Sequence, residues 1–262
     1  MQDKRAEPDV SEHVKRLWRL SPGHQRGRPA ELDVEQVVRK AMELADRDGL
    51  GGATLPKVAE ALGFTKMSLY RHVGSKDELC ELMGDLAIGP APEVDEAAGW
   101  REALRRWTLT SRRVYGRHPW LAQLPITGPP VGPNAIGWMD ALLRALRETG
   151  LDWPEKLGIL NLLGGYVRTA SALEQQLTQG RLDSGLDQAQ SERDYGTALS
   201  PLVEPARFPE AAKLFASSVF RTPAEEGAED EFGFGLGLIL DGIEALIAAQ
   251  ADIRHGSSQG IH

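Results

Sequence analysis

The chain has 262 residues, of which 41% are hydrophobic and 26% charged, enough to bury a substantial core and divide into two helical domains. Its single cysteine, Cys80, excludes an intramolecular disulfide, and its opening stretch lacks the apolar core of a secretory signal, so a cytoplasmic location is expected. The net charge of −8 argues at first against a polyanion as partner, yet positions 13–30 and 61–76 carry basic residues and no acid, leaving local surface for phosphates.

Helical periodicity recurs along the chain and no strand alternation persists, so the expected class is all-α. Residues 1–30 read as a flexible basic arm, in which Val14, Leu17 and Trp18 can form one short amphipathic turn. The first firm helix has Asp33 as its N-cap and apolar residues at Val34, Val37, Val38, Ala41, Leu44 and Ala45, and it stops at Gly49. A second starts near Thr54, tolerates Pro56 because the first turn needs no amide donor, buries Leu55, Val58, Ala59 and Leu62, and ends at Gly63. A third covers 66–73, and Ser75 or Gly74 opens a fourth through Leu79, Leu82, Met83 and Leu86.

Gly89-Pro90-Ala91-Pro92 then separates a domain of residues 31–89 from one of 90–253, ahead of a frayed tail at 254–262. In the second domain the periodicity predicts helices over 97–117, 134–148, 153–179, 188–203, 209–218 and 229–250, with a Pro/Gly link at 124–133.

The segment 54–73 has the form of a helix-turn-helix: two short helices joined by Gly63-Phe64-Thr65, with apolar spacing that lets them pack across a tight turn. Met67, Tyr70 and Arg71 share one face of the second helix, while Leu69 and Val73 lie opposite and can hold it from behind. With Lys66 at its start, that outward face can contact base edges and phosphates together. The spacing alone also fits a three-helix packing unit with a solvated outer face.

Residues 32–82 resemble the DNA-binding domain of the TetR family, through VEQVVRKAMELADRDG, TLPKVAEALGFTKMSLYRHV and SKDELCELM; Ser68-Leu69-Tyr70-Arg71-His72-Val73 with Lys76 carries the most weight. The string FGFGLGLILDGIEALI is similar to the final helix of the subgroup nearest the tetracycline repressor. The resemblance implies that Lys66, Met67, Tyr70 and Arg71 face the major groove, while Ser68, His72, Thr54 and Lys76 position the phosphate backbone. Pro56 departs from the pattern, since tetracycline repressors place a base-reading arginine there, which leaves Arg71 to contact a guanine. Ahead of the domain, Arg26-Gly27-Arg28-Pro29 resembles the core of an AT-hook, whose arginines would lie in the minor groove; a solvated tail fits the same four residues.

The helices at 153–179 and 229–250 are apolar on more than one face, so each needs partners on two sides. A two-fold four-helix bundle supplies them, with Leu163, Val167, Phe232, Leu236, Ile239 and Ile243 expected at a homodimer interface in this ligand-binding and dimerisation domain. A dimer would set two recognition helices one helical turn apart on a palindromic operator of double-stranded DNA. For a small, largely apolar effector the domain offers Trp100, Trp107, Tyr115, Trp120, Trp138, Met139 and Tyr166 as walls, with Ser111, Asn161 and Arg168 as polar anchors. The expected function is ligand-responsive repression; a regulator without an effector, an activator included, and more remotely a helical enzyme remain as alternatives.

Other signals point elsewhere than catalysis. Gly256-Ser257-Ser258-Gln259-Gly260 matches a nucleophile elbow only in letters, and 233–237 lacks the strand context of a dinucleotide loop. The six histidines have no metal-ligand spacing, so neither metal nor cofactor is expected. The apolar run 232–249 has the length of a membrane span, but Asp241 and Glu244 would sit at costly depth, and a soluble helix buried on most sides is expected instead.

Overall fold

The computed structural model describes residues 11–19, 32–185, 187–220 and 231–259, and among them the regular elements are all helical. In chain order these are α1 (Glu12–Leu17), α2 (Val34–Asp48), α3 (Leu55–Leu62), α4 (Lys66–Val73), α5 (Lys76–Ile88), α6 (Gly99–Arg117), α7 (Pro133–Ala145), α8 (Trp153–Ser184), α9 (Gln188–Leu199), α10 (Pro209–Ala216) and α11 (Glu231–Gln259). Arg26 and Arg28, proposed for the minor groove, lie outside the described residues.

The helix starts follow local chemistry. Asp33 accepts from the Glu35 amide while Gln36 reaches back to the Asp33 amide, a capping box that opens α2. Ser75 caps α5 by accepting from the Glu78 amide at 3.1 Å. Pro56 and Pro154 sit in the first turns of α3 and α8, where no intrahelical amide is needed. Two short 3₁₀ turns, Leu50–Gly52 and Pro119–Gln123, have no counterpart in the expected elements. The last helix also runs on to Gln259, through the stretch expected to fray.

Packing divides the chain into two compact units, residues 1–171 with 239–262 and residues 172–238. Residues 89–92 fall within the first unit, where α5 packs on both α6 and α7. In the first unit Val37, Val58, Leu69, Val73, Leu79, Met83, Leu104 and Leu142 are fully buried. In the second, Tyr195, Phe215 and Phe220 form an aromatic cluster with ring centroids 5.1–5.6 Å apart.

Candidate nucleic-acid interface and effector domain

The turn between α3 and α4 is made by three residues with distinct tasks. Gly63 takes φ +73°, a left-handed conformation that side chains disfavour, and ends α3. Thr65 caps α4, its hydroxyl accepting from the Ser68 amide at 3.2 Å. Between them Phe64 is exposed. The sequence places both residues in the turn without singling out Thr65 as the cap, although a threonine just ahead of an apolar-periodic run is a recognisable start signal.

On α4, Leu69 and Val73 are 0% exposed, whereas Met67 is 70% and Tyr70 37% exposed. Lys66 and Arg71 are exposed beside them, and the Lys66 ammonium lies 5.6 Å from the centre of the Tyr70 ring. The helix thus holds its apolar edge in the core and presents a cation, a phenol, a guanidinium and a thioether on one side. Lys76 is exposed, Ser68 and Thr54 are half-buried, and Thr54 starts α3 without a side-chain cap bond. His72 is half-buried and lines an internal space on the other side of the helix.

Three joints tie this head to the helices that follow. The first is Asp46 at the end of α2, whose Oδ1 accepts from Trp120 Nε1 at 2.6 Å and lies 2.8 Å from His118 Nδ1. In the second, Asp85 on α5 accepts from the backbone amides of Asn134 (3.4 Å) and Ala135 (2.9 Å), so it caps α7 from another helix. Burial pushes the Asp85 carboxyl above its ordinary range, against those amides. The third is made by α1, where Arg16 pairs with Glu78, His13 bonds Glu81, and Trp18 Nε1 donates to the Val131 carbonyl at 2.8 Å. Burial raises the Glu81 carboxyl, but the Thr127 hydroxyl and His13 together hold it below its ordinary value.

These joints take up several of the residues expected around an effector pocket. Trp107, Trp120 and Trp138 are buried, and their indole N–H groups donate to the Trp138 carbonyl, Asp46 and the Gly89 carbonyl. A buried indole needs an acceptor, and here the protein supplies it, so these rings act as struts. Asn161 is exposed rather than interior, because it falls on the outer side of α8 beside Leu157 and Leu162. Ser111, Tyr115, Met139, Tyr166 and Arg168 are half-buried. Burial raises the Tyr115 phenol, the Arg168 charge opposes that shift, and Arg168 also donates to the Leu124 carbonyl. Trp100 instead lines a groove of about 740 Å³ with Ile247 and Ala251.

The expected dimer face is corrected as well. Leu163, Val167, Phe232, Leu236 and Ile243 are buried inside the single chain and Ile239 is half-buried, so they have little surface left for a twin. The apolar surface that remains lies on the other sides of the same helices. On α8 it includes Leu162, Leu173 (53% exposed) and Leu177; on α11 it includes Phe234 (62%) and Leu238 (58%). By length and composition the segment Glu231–Asp252 could cross a membrane, and only 22% of its most apolar window is buried, against the expectation of burial on most sides. Its Asp241 and Glu244 both pair with Arg101 of α6.

Residues 37–83 match the family of bacterial regulatory proteins called tetR, and residues 91–247 match the tetracyclin repressor-like C-terminal domain. The HTH-type transcriptional repressor DrrR1 of Streptomyces coeruleorubidus is 33% identical over 92% of this chain and 87% of its own length. The class E tetracycline repressor of Escherichia coli is 27% identical over 82% of this chain and 92% of its own. Among solved structures, ActR of Streptomyces coelicolor in complex with actinorhodin superposes with a TM-score of 0.67 at 28% identity, covering 82% of this chain and 97% of that one.

Proposed function

The chain belongs to the tetR family of DNA-binding transcriptional repressors, and from that premise we propose that it binds a palindromic operator as a homodimer and leaves it when a small, largely apolar effector binds. The observation that carries this reading is the two-sidedness of α4: Leu69 and Val73 sealed in the core, with Lys66, Met67, Tyr70 and Arg71 facing out. In this reading it meets its operator in the cytoplasm.

In this reading Arg71 is bidentate to a guanine, and Lys66 contacts phosphate. Arg71→Ala is then expected to cost about 1–3 kcal/mol on the operator and to relax specificity at one position. Lys66→Ala weakens all duplexes alike and lowers the salt slope by about one. Enrichment from random duplexes followed by anisotropy titration at several salt concentrations separates the two. Equal, sequence-independent losses from both would remove Arg71 from the bases.

The effector site is drawn around Ser111, Tyr115, Met139 and Arg168, where the neighbouring Tyr115 and Arg168 offer a phenol and a guanidinium to a partly polar ligand. That the structurally similar ActR was solved with actinorhodin supports an effector of this general kind. A ligand there releases DNA only if it binds the non-operator arrangement more tightly.

The twin is proposed to cover the exposed apolar sides of α8 and α11. Leu173→Glu combined with Leu238→Glu places carboxylates on that surface and is expected to give a monomer by analytical ultracentrifugation. Losing the second reading head lowers operator affinity on the order of 10²–10⁴-fold. A double variant that still sediments as a dimer would place the interface elsewhere.

A further inference from the structure

We propose that the operator is read in part through the 5-methyl group of thymine, by an apolar edge that Phe64 and Met67 form at the leading end of α4. The inference deepens the function proposed above and rests on it, since α4 must enter the major groove with its N-terminal end against the base edges. Thr65 caps α4 and Lys66 opens it, so Phe64 and Met67 both lie within one turn of that end. Met67 is 70% and Phe64 41% exposed, although Leu69 and Val73 of the same segment are fully buried. A single exposed apolar side chain is ordinary. Two within four positions, at the tip of a reading helix, call for a partner. The backbone beneath them is ordered: the Phe64 amide donates to the Ala59 carbonyl at 2.9 Å, and the Thr65 hydroxyl accepts from the Ser68 amide. An apolar residue just ahead of an N-cap commonly packs on the fourth helical residue, which here is Leu69. Such packing does not use up Phe64, which stays exposed.

The chemistry of the two side chains decides what they can read. A phenyl ring offers no hydrogen-bond donor or acceptor, and a thioether sulfur is only a weak acceptor, so neither can follow the donor and acceptor pattern of the base edges. The one apolar group that a base pair presents in the major groove is the thymine 5-methyl. Covering it with Met67 or Phe64 removes apolar surface from water on both partners, which is favourable. The surroundings suit a polyanion: residues 61–76 carry Lys66, Arg71 and Lys76 and no acid, so the apolar edge is drawn to DNA by charges that flank it in sequence. The labour then divides by chemistry, with Lys66 on phosphate, Arg71 on guanine, and Phe64 and Met67 on the methyl of thymine.

The test takes the full chain and the operator enriched from random duplexes, and replaces each thymine of one half-site in turn by deoxyuridine, which keeps every hydrogen-bonding group and removes only the methyl. Anisotropy titration is expected to show a loss of about fourfold at one or more positions, the factor for uncovering one methyl-sized group. In Met67→Ala and in Phe64→Ala the penalty at the position each residue reads is expected to vanish, so that thymine and deoxyuridine are bound alike there. Met67→Leu, which keeps an apolar side chain, should retain the penalty, and Met67→Gln, of similar length but polar, should lose it. The deoxyuridine series on the unaltered protein decides the question even if a variant fails to fold. The inference is overturned if the enriched half-site contains no thymine, if deoxyuridine is tolerated at every position, or if the penalty survives in both alanine variants; survival in Phe64→Ala alone removes Phe64 from the edge. A selection that enriches no sequence defeats the proposed function itself, whereas an enriched sequence indifferent to the methyl defeats only this inference.

Discussion

Leu69→Ala is expected to destabilise the chain by about 2–5 kcal/mol and to abolish operator binding, whereas Met67→Ala, two residues away on the same helix, should change stability by no more than about 0.5 kcal/mol. Leu69 is fully buried, so truncation leaves a cavity in addition to the lost transfer energy. α4 has only eight residues, too few to hold its shape without tertiary support. With Leu69 gone, its outward face is no longer presented as a unit. Urea unfolding followed by circular dichroism measures both variants. Similar, small changes in the two would mean that α4 is not anchored from behind, and the reading head as described would be wrong.

Asp46→Ala should have the next largest effect and a different signature. It removes the acceptor of Trp120 Nε1, and Trp120 is one of the largest fully buried side chains. An unmet indole N–H in the interior costs about 1–3 kcal/mol, and His118 loses its partner at the same time. Because Asp46 lies in the last turn of α2 while His118 and Trp120 follow α6, the damage falls on the link between head and body. Calorimetry is therefore expected to resolve a separate, earlier transition for residues 32–88 in the variant. Asp46→Asn keeps an acceptor oxygen and should recover most of the loss. A single unchanged transition in Asp46→Ala would show that this joint does not hold the two parts together.

What the sequence revealed and what it hid follow from the range of each interaction. Caps such as Asp33 and Ser75, the stop at Gly63 and the opposed faces of α4 are set by neighbours a few residues away, and periodicity displays them. The Asp46–Trp120 and Asp85–Asn134 pairs join residues 74 and 49 positions apart, and a polar pair of that span leaves no periodic trace. The tryptophans were read as pocket walls from their chemistry alone. Their bonding to Asp46, Gly89 and Trp138 shows only in three dimensions. On α11 both faces are apolar, so the pattern identified the helix without ordering its sides: Phe232, Leu236, Leu240 and Ile243 turned inward, Phe234 and Leu238 outward. The helix also continues past Gly256, where glycine and two serines suggested fraying.

Asp85 has one more effect, which concerns timing rather than strength. The amides of Asn134 and Ala135 at the opening of α7 have no carbonyl of their own helix to bond, and a residue on α5 satisfies them instead. Those two amides stay bonded only while α5 stays in place. Any swing of the head longer than a hydrogen bond breaks both bonds and hands the two amides to water, turning a continuous displacement into a discrete loss of the cap. Deuterium exchange at those two amides would then record each departure of the head from its seat.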